Sequence, residues 1–275
     1  MKKELAPTGS YDPFAAPGRF NAELLRLQAQ VELSWREEAR LLAQAGLRDA
    51  MSVLEVGSGP GFVTAQLLAL LPSARITALE ISPEFTAIAR EENSSPRVEF
   101  VEASILSSGL AERQFDFAIA RLVFQHLADP MAAAREILRL LKPGGTLAIL
   151  DVDAAFWGVV QPYVRELETI YRKARSLQAQ QGGDPTIGRR MWRILKAAGF
   201  QSPRLEAFVY HSEELGLDAF DSQLSPERYL QAVQAGVISF EEYLAAARAY
   251  AEFRRSPDAY VLLAGLMAHG TKPLT

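Results

Sequence analysis

Three glycines at alternate positions, Gly57, Gly59 and Gly61, follow the apolar run Val53-Leu54-Glu55-Val56. Glu80 stands nineteen positions beyond the last of them. Glycine tolerates positive φ and has no Cβ, so such a turn lets a ligand lie against bare main chain. A carboxylate closing the next strand can accept hydrogen bonds from both hydroxyls of a ribose. A dinucleotide fingerprint would read Gly-x-Gly-x-x-Gly, with its pyrophosphate on the helix N-terminus. Here Phe62 stands where that third glycine would be. The pattern therefore suits a nucleoside without a pyrophosphate, and the acid at position 80 disfavours a 2′-phosphate. Each feature also has a plainer reading, a tight turn and an exposed strand-end acid; the pair together favours the nucleoside crevice.

Candidate proton acceptors are few. The histidines are His126, His211 and His269, far apart in sequence. His126 is a candidate catalytic base, although a supporting role in the turn before Pro130 explains it as well. Asp153 and His211 lie near expected strand ends and are alternative bases, and Trp157 is a candidate pocket wall. There is no cysteine, which excludes disulfides, thiolate metal sites and cysteine nucleophiles. No metal site is expected. The formal net charge of −4 argues against nucleic-acid binding, which draws on a basic surplus; Arg189, Arg190 and Arg193 read as the solvated face of a helix. No apolar run approaches the ~20 residues that cross a bilayer, and Met1-Lys2-Lys3-Glu4 leads into no apolar leader. A cytoplasmic protein is expected.

The elements needed to position these groups follow from hydrophobic spacing. Residues 1–20 read as an extended arm. Apolar positions from Glu23 to Ala45 repeat at helical spacing, with Asn21 as N-cap and Gly46 as stop. Strands are expected at Ser52–Val56, Arg75–Leu79, Val98–Val101, Phe115–Ala120 and Thr146–Val152, the last entered through a Lys142–Gly145 turn. Helices are expected at Phe62–Leu71, Pro83–Glu92 and Pro130–Leu141. This alternation implies a parallel sheet covered on both faces. Beyond Asp153 come a helical insert (162–180), a helix over 188–198, a strand over 205–211, helices near 226–234 and 239–254, and a last strand over 259–268.

The set of motifs resembles the class I S-adenosylmethionine-dependent methyltransferases, near the ubiquinone/menaquinone C-methyltransferase-like group. The resemblance is carried by Gly57–Gly61, Glu80, Glu102–Ile105, Phe115–Arg121, Phe124–Pro130 and Leu141–Gly145, and covers roughly residues 50–153. It implies a Rossmann-like α/β fold, a doubly wound, mostly parallel seven-stranded sheet with an antiparallel last strand, and S-adenosylmethionine as cofactor. Glu55, Gly57, Ser58 and Gly59 would hold the methionine end; Glu80 and Ile81 would lie at the ribose. Ala103, Ser104 and Ile105 would border the adenine, with Ser104 replacing the family's usual Asp at a cost of about 1 kcal/mol. Ala120 and Arg121 would lie beside the methionine moiety, and Tyr11 and Gln28 would close over the cofactor.

The reading is a single domain: a core at 47–153, 186–212 and 257–275, and cap helices from 1–46, 154–185 and 213–256. Its expected activity is methyl transfer to an O, N or C nucleophile of a small molecule. Rivals are a protein of this fold that uses the cofactor structurally for other chemistry, an NAD-dependent oxidoreductase, and a non-catalytic interaction protein. Oligomeric state is left open. Gly57→Val is expected to abolish cofactor binding by filling the ligand's space.

Overall fold

The computed structural model describes residues 9–11, 18, 20–156 and 158–275. Trp157 and most of the expected arm lie outside them. Chain order begins with helix α1 (Phe20–Gln44), then β1 (Ser52–Val56), α2 (Phe62–Leu70), β2 (Arg75–Glu80), α3 (Pro83–Glu92), β3 (Val98–Glu102), β4 (Phe115–Arg121), α4 (Pro130–Leu140) and β5 (Leu141–Asp151). It continues with β6 (Gly158–Gln161), α5 (Arg165–Gln180), α6 (Met191–Ala198), β7 (Gln201–His211), four helices α7 (Ser212–Leu215), α8 (Asp221–Leu224), α9 (Leu230–Gln234) and α10 (Phe240–Arg255), and β8 (Tyr260–Thr271).

The local chemistry explains the boundaries. Ser82 accepts the Phe85 N–H and Pro83 fills the first turn of α3; Asp129 and Pro130 do the same for α4. A capping box of Ser239 and Glu242 opens α10. Helix α1 closes in a Schellman turn: Leu47 N–H donates to Leu42 O (3.0 Å) and Gly46 N–H to Ala43 O (3.2 Å), with Gly46 at φ 107°. Its start differs from expectation. The helix begins at Phe20, so Asn21 lies inside it and caps nothing.

The sheet runs β3-β2-β1-β4-β5-β8-β7. Strands β1 to β5 are parallel, and β8 is antiparallel to its neighbours. The short β6 pairs with Tyr260–Leu263 of β8, while β5 pairs with Leu266–Thr271. Because β7 spans both segments on the other side, β6 continues the line of β5. It makes an eighth strand just before the expected helical insert (162–180), within the 154–185 segment assigned to cap helices. At four residues, Gly158-Val159-Val160-Gln161 is too short for periodicity to reveal it. Gly158 matters because a Cβ there would lie 2.1 Å from Leu262 O. Lys142–Gly145 also joins β5 rather than preceding it, with a register irregularity opposite Phe115–Phe117.

Two apolar clusters cover the two faces of the sheet. One joins Val56, Phe124, Ile137 and Leu195; the other joins Leu42, Val53, Leu67 and Phe117. A third joins Leu33 of α1, Ile170 of α5, Phe220, Leu224, Ala246 and Phe253 to Val261 and Leu263. The two ends of the chain and the segment after β6 thus share one apolar core above the sheet's carboxyl rim.

Candidate active site

The register of the parallel strands brings their carboxyl ends to one rim. Val56 pairs with Leu79 and with Ala120, and Glu80 with Glu102. The glycine turn leaves β1 there. Gly57 and Ser58 N–H groups both donate to Leu79 O (2.7 and 3.1 Å), and the three glycines take φ of 67°, 56° and 86°. Their reasons differ. A Cβ on Gly57 would meet Val123 Cγ2 at 2.5 Å, and one on Gly61 would meet Asn93 Nδ2 at 2.6 Å; at Gly59 it would meet open space. The expectation for Gly57 is thereby corrected: its bare backbone admits Val123, whereas Gly59 faces the void.

Glu80 is buried and rigidly held. Its Oε2 accepts the Gly59 N–H (2.8 Å), and its Oε1 accepts those of Ile81 (2.9 Å) and Ser82 (2.8 Å). Desolvation raises its pKa against the pull of those three donors. Glu55, fully enclosed one turn below, accepts from Thr64 Oγ1 (2.6 Å). Burial pushes its carboxyl up to about 8, with the nearby Glu80 charge adding to the shift.

These groups border a cavity of about 1510 Å³ that runs from the glycine turn to the cap. Drug-sized ligands fill roughly 300–1,000 Å³, so it has room for a nucleoside and a second molecule. Glu55, Gly57, Ser58, Gly59, Glu80, Ile81, Arg121, Tyr11 and His126 all line it. Ser58 Oγ is buried and has no hydrogen-bond partner, which leaves a polar atom for a ligand to satisfy.

Other sequence-derived candidates lie elsewhere. Gln28 is exposed and donates to Glu32 Oε1 (3.0 Å); two positions along α1, Gln30 faces the cavity instead, since a step of two residues crosses to the other side of a helix. Ala120 and Ile105 are packed in the apolar core, with Ala103 against it. Ser104 Oγ accepts the Leu106 N–H (3.2 Å) and caps a short turn; Glu102 is the residue of that strand end on the cavity wall. Asp153 is off the wall: Arg189 Nη2 (2.7 Å) and Nε, together with the Ala155 N–H (3.0 Å), occupy its carboxylate. His211 is also off the wall, its Nδ1 buried without a partner.

His126 is in place but strongly tuned. Burial first, then the Arg26 and Arg228 guanidinium groups, press its pKa down to about 4, partly offset by Glu23. Ser10 Oγ and Gln178 Nε2 lie 3.1 and 3.5 Å from its Nδ1. Its backbone oxygen accepts from Ser10 N (2.9 Å), and the Tyr11 ring lies 5.3 Å away. Composition gave no hint of the cap residues around it, Arg26, Arg228 and Gln178, because long-range packing alone brings them there. Asp151 was also missed. Its Oδ2 accepts the Gln125 N–H (3.0 Å) and so anchors the turn that bears His126; burial pushes it up to about 7.

These buried acids make stability fall as pH rises. A carboxyl whose pKa is raised on folding stabilises the fold while protonated, and that benefit is lost as pH climbs through its folded value. Below about pH 6.5 the depressed His126 works in the opposite sense. From pH 6.5 to 8.5 the unfolding free energy from urea titration should therefore drop, by at most about 1.4 kcal/mol per pH unit for each group. Glu55→Gln should flatten the slope; an equally steep slope in that variant would remove Glu55 as its source.

Comparison with known proteins accords with this geometry. Residues 54–149 match the methyltransferase domain family. The trans-aconitate 2-methyltransferase of Azoarcus sp. is 38% identical over 40% of this chain and 42% of its own length. That of Methylobacterium radiotolerans is 31% identical over 60% of each. The chain thus spans about half the length of these curated relatives. Among solved structures, phosphoethanolamine N-methyltransferase 2 of Haemonchus contortus, in complex with S-adenosyl-L-methionine, superposes with a TM-score of 0.59 at 17% identity, covering 94% of this chain and 58% of that one. Glycine turn, strand-end acid, sheet order and matched domain converge: residues 54–149 are similar to the methyltransferase domain family, and the sheet around them has the Rossmann-like fold of solved methyltransferases.

Proposed function

We propose that the cavity binds S-adenosylmethionine against the glycine turn and transfers its methyl group to a small molecule held beside His126 under the cap. The observation that carries this reading is the pairing of Gly59 with Glu80. One backbone N–H fixes the carboxylate, and the neighbouring Cβ position is empty. Glu80 and Ile81 would hold the ribose, and Glu55, Gly57 and Ser58 the methionine end. When bound, the cofactor supplies an electrophilic methyl group on a cationic sulfur. Arg121 acts indirectly: it bonds Glu38 Oε2 (2.7 Å), Gln30 O (3.0 Å) and Ser34 Oγ (3.1 Å) and fastens α1 over the site. We read 47–153, 186–212 and 257–275 as the catalytic core and the remaining segments as the cap.

The chain's contribution is positioning and exclusion of water, because the donor arrives activated. The Gly57–Gly59 backbone, Glu55 and Glu80 would hold the donor so that its methyl group could pass in line to an acceptor nucleophile, the carbon–sulfur electron pair staying with the sulfur. His126, pressed to about 4, is a poor proton acceptor for an acceptor that must be deprotonated, since a general base works best near the operating pH. His126→Asn should therefore lower kcat by less than about tenfold, against the 10²–10⁴ of a true base. A larger loss together with a vanished acidic limb in the pH–rate profile would make it the base. Among acceptors, the quinone-type resemblance is the finer alternative, whereas the two curated relatives described above are named for trans-aconitate. Incubation with a methyl-labelled donor and a metabolite extract tests the activity itself: a labelled small molecule and S-adenosylhomocysteine should form. Cofactor binding without any labelled product would instead support structural use of the cofactor.

A further inference from the structure

We propose that the acceptor carries an anionic group, a carboxylate or a phosphate, held between Arg228 and the free Nη1 of Arg26. This rests on the methyl-transfer reading of the same cavity. Arg26 is one turn into α1, with its side chain 15% exposed. Its Nε and Nη2 bond both oxygens of Glu23, each at 2.7 Å. That fork fixes the plane of the guanidinium and leaves Nη1 buried with no partner. Buried donors are nearly always satisfied, so an unmet one on a cavity wall marks where a ligand oxygen fits.

Arg228 lines the same cavity. Its Nη1 donates to Gln223 O (3.2 Å) and Oε1 (3.0 Å), both neutral. Its guanidinium carbon stands 5.8 Å from the Tyr229 ring centroid. Among the described residues it pairs with no carboxylate. Glu227, its neighbour in sequence, also lines the cavity, and Asp218 and Asp221 both bond Arg254. Two guanidiniums thus border this end of the cavity, one with an unmet Nη1 and one bonded only to neutral oxygens. A cationic acceptor would meet like charge there, whereas an anion would supply the missing partner; fork-shaped guanidiniums suit carboxylate and phosphate oxygens alike.

The test titrates S-adenosylhomocysteine-saturated protein with 3-phenylpropanoate, 3-phenylpropyl phosphate and 3-phenylpropylamine, which differ only in head group, and with citrate. At least one anion should bind at least about tenfold more tightly than the amine; the carboxylate and phosphate arms tell the two anions apart. Arg228→Met should erase the preference. Arg26→Met should reduce it, and S-adenosylhomocysteine should bind both variants as it binds the parent. An amine bound as tightly as the anions, no anion bound at millimolar concentration, or a preference intact in both variants would overturn the inference alone. Failure of the parent protein to bind S-adenosylhomocysteine would overturn the methyl-transfer reading as well.

Discussion

Gly59→Val should weaken S-adenosylhomocysteine binding by about 100-fold or more, a loss of roughly 2.7 kcal/mol, while the chain still folds. The position is suited to the test because its Cβ would meet nothing in the protein. The side chain would enter the void proposed for the cofactor and push it off the Glu80 carboxylate. The left-handed backbone at φ 56° adds about 1–2 kcal/mol of strain, which an ordinary domain with 5–15 kcal/mol of stability tolerates. Gly57→Val is the contrasting control. Its Cβ runs into Val123, so it should lose stability along with affinity. Calorimetric titration of both variants, with near-ultraviolet circular dichroism as the check on folding, separates the effects. Near-normal affinity in folded Gly59→Val would remove the turn from the site.

The second large effect is on stability. Arg121 and Glu38 form an ion pair with side chains only 10% and 5% exposed, tying the cap helix to the end of β4. Glu38→Leu leaves the guanidinium buried without its counter-ion. Breaking such a pair costs about 3–5 kcal/mol, while replacing both members by apolar side chains is often neutral. Urea unfolding should therefore show a large loss for Glu38→Leu and substantial recovery for the Glu38→Leu/Arg121→Met double variant. A single variant as stable as the parent would mean the pair does not hold the cap. Such a result would leave the cofactor half of the site intact, because Arg121 makes no contact with the glycine turn in the bonding pattern described above.

The contrast between these two positions also explains what the sequence revealed. The glycine turn and Glu80 were legible because strand, turn and strand end are local features, and chain connectivity alone brings them to one rim. Helix α3 was legible to the residue, since Ser82, Pro83 and the apolar spacing agree. Strand β6 was not, being four residues long and paired with a segment a hundred residues away. The acceptor side of the site was equally hidden. Arg26 and Arg228 sit in segments expected to form the cap, yet nothing in the sequence marks those two side chains, and only the third apolar cluster folds them over the rim. Composition does not reveal which face of α1 turns inward, so nothing in the sequence sets Gln28 apart from the cavity-facing Gln30. Asp151 and Asp153 stand two residues apart at one strand end, and the sequence does not tell their roles apart; the structure gives Asp151 to the His126 turn and Asp153 to Arg189.

The central claim, a crevice built for a phosphate-free nucleoside, is tested most directly by calorimetric titration of the unmodified protein with S-adenosylhomocysteine and, separately, with NAD. The account predicts saturable one-to-one binding of S-adenosylhomocysteine. Its ammonium group should draw a proton off Glu55, so that the heat depends on buffer ionisation between about pH 6 and 8. Heat from NAD alone, or from neither ligand, would contradict it.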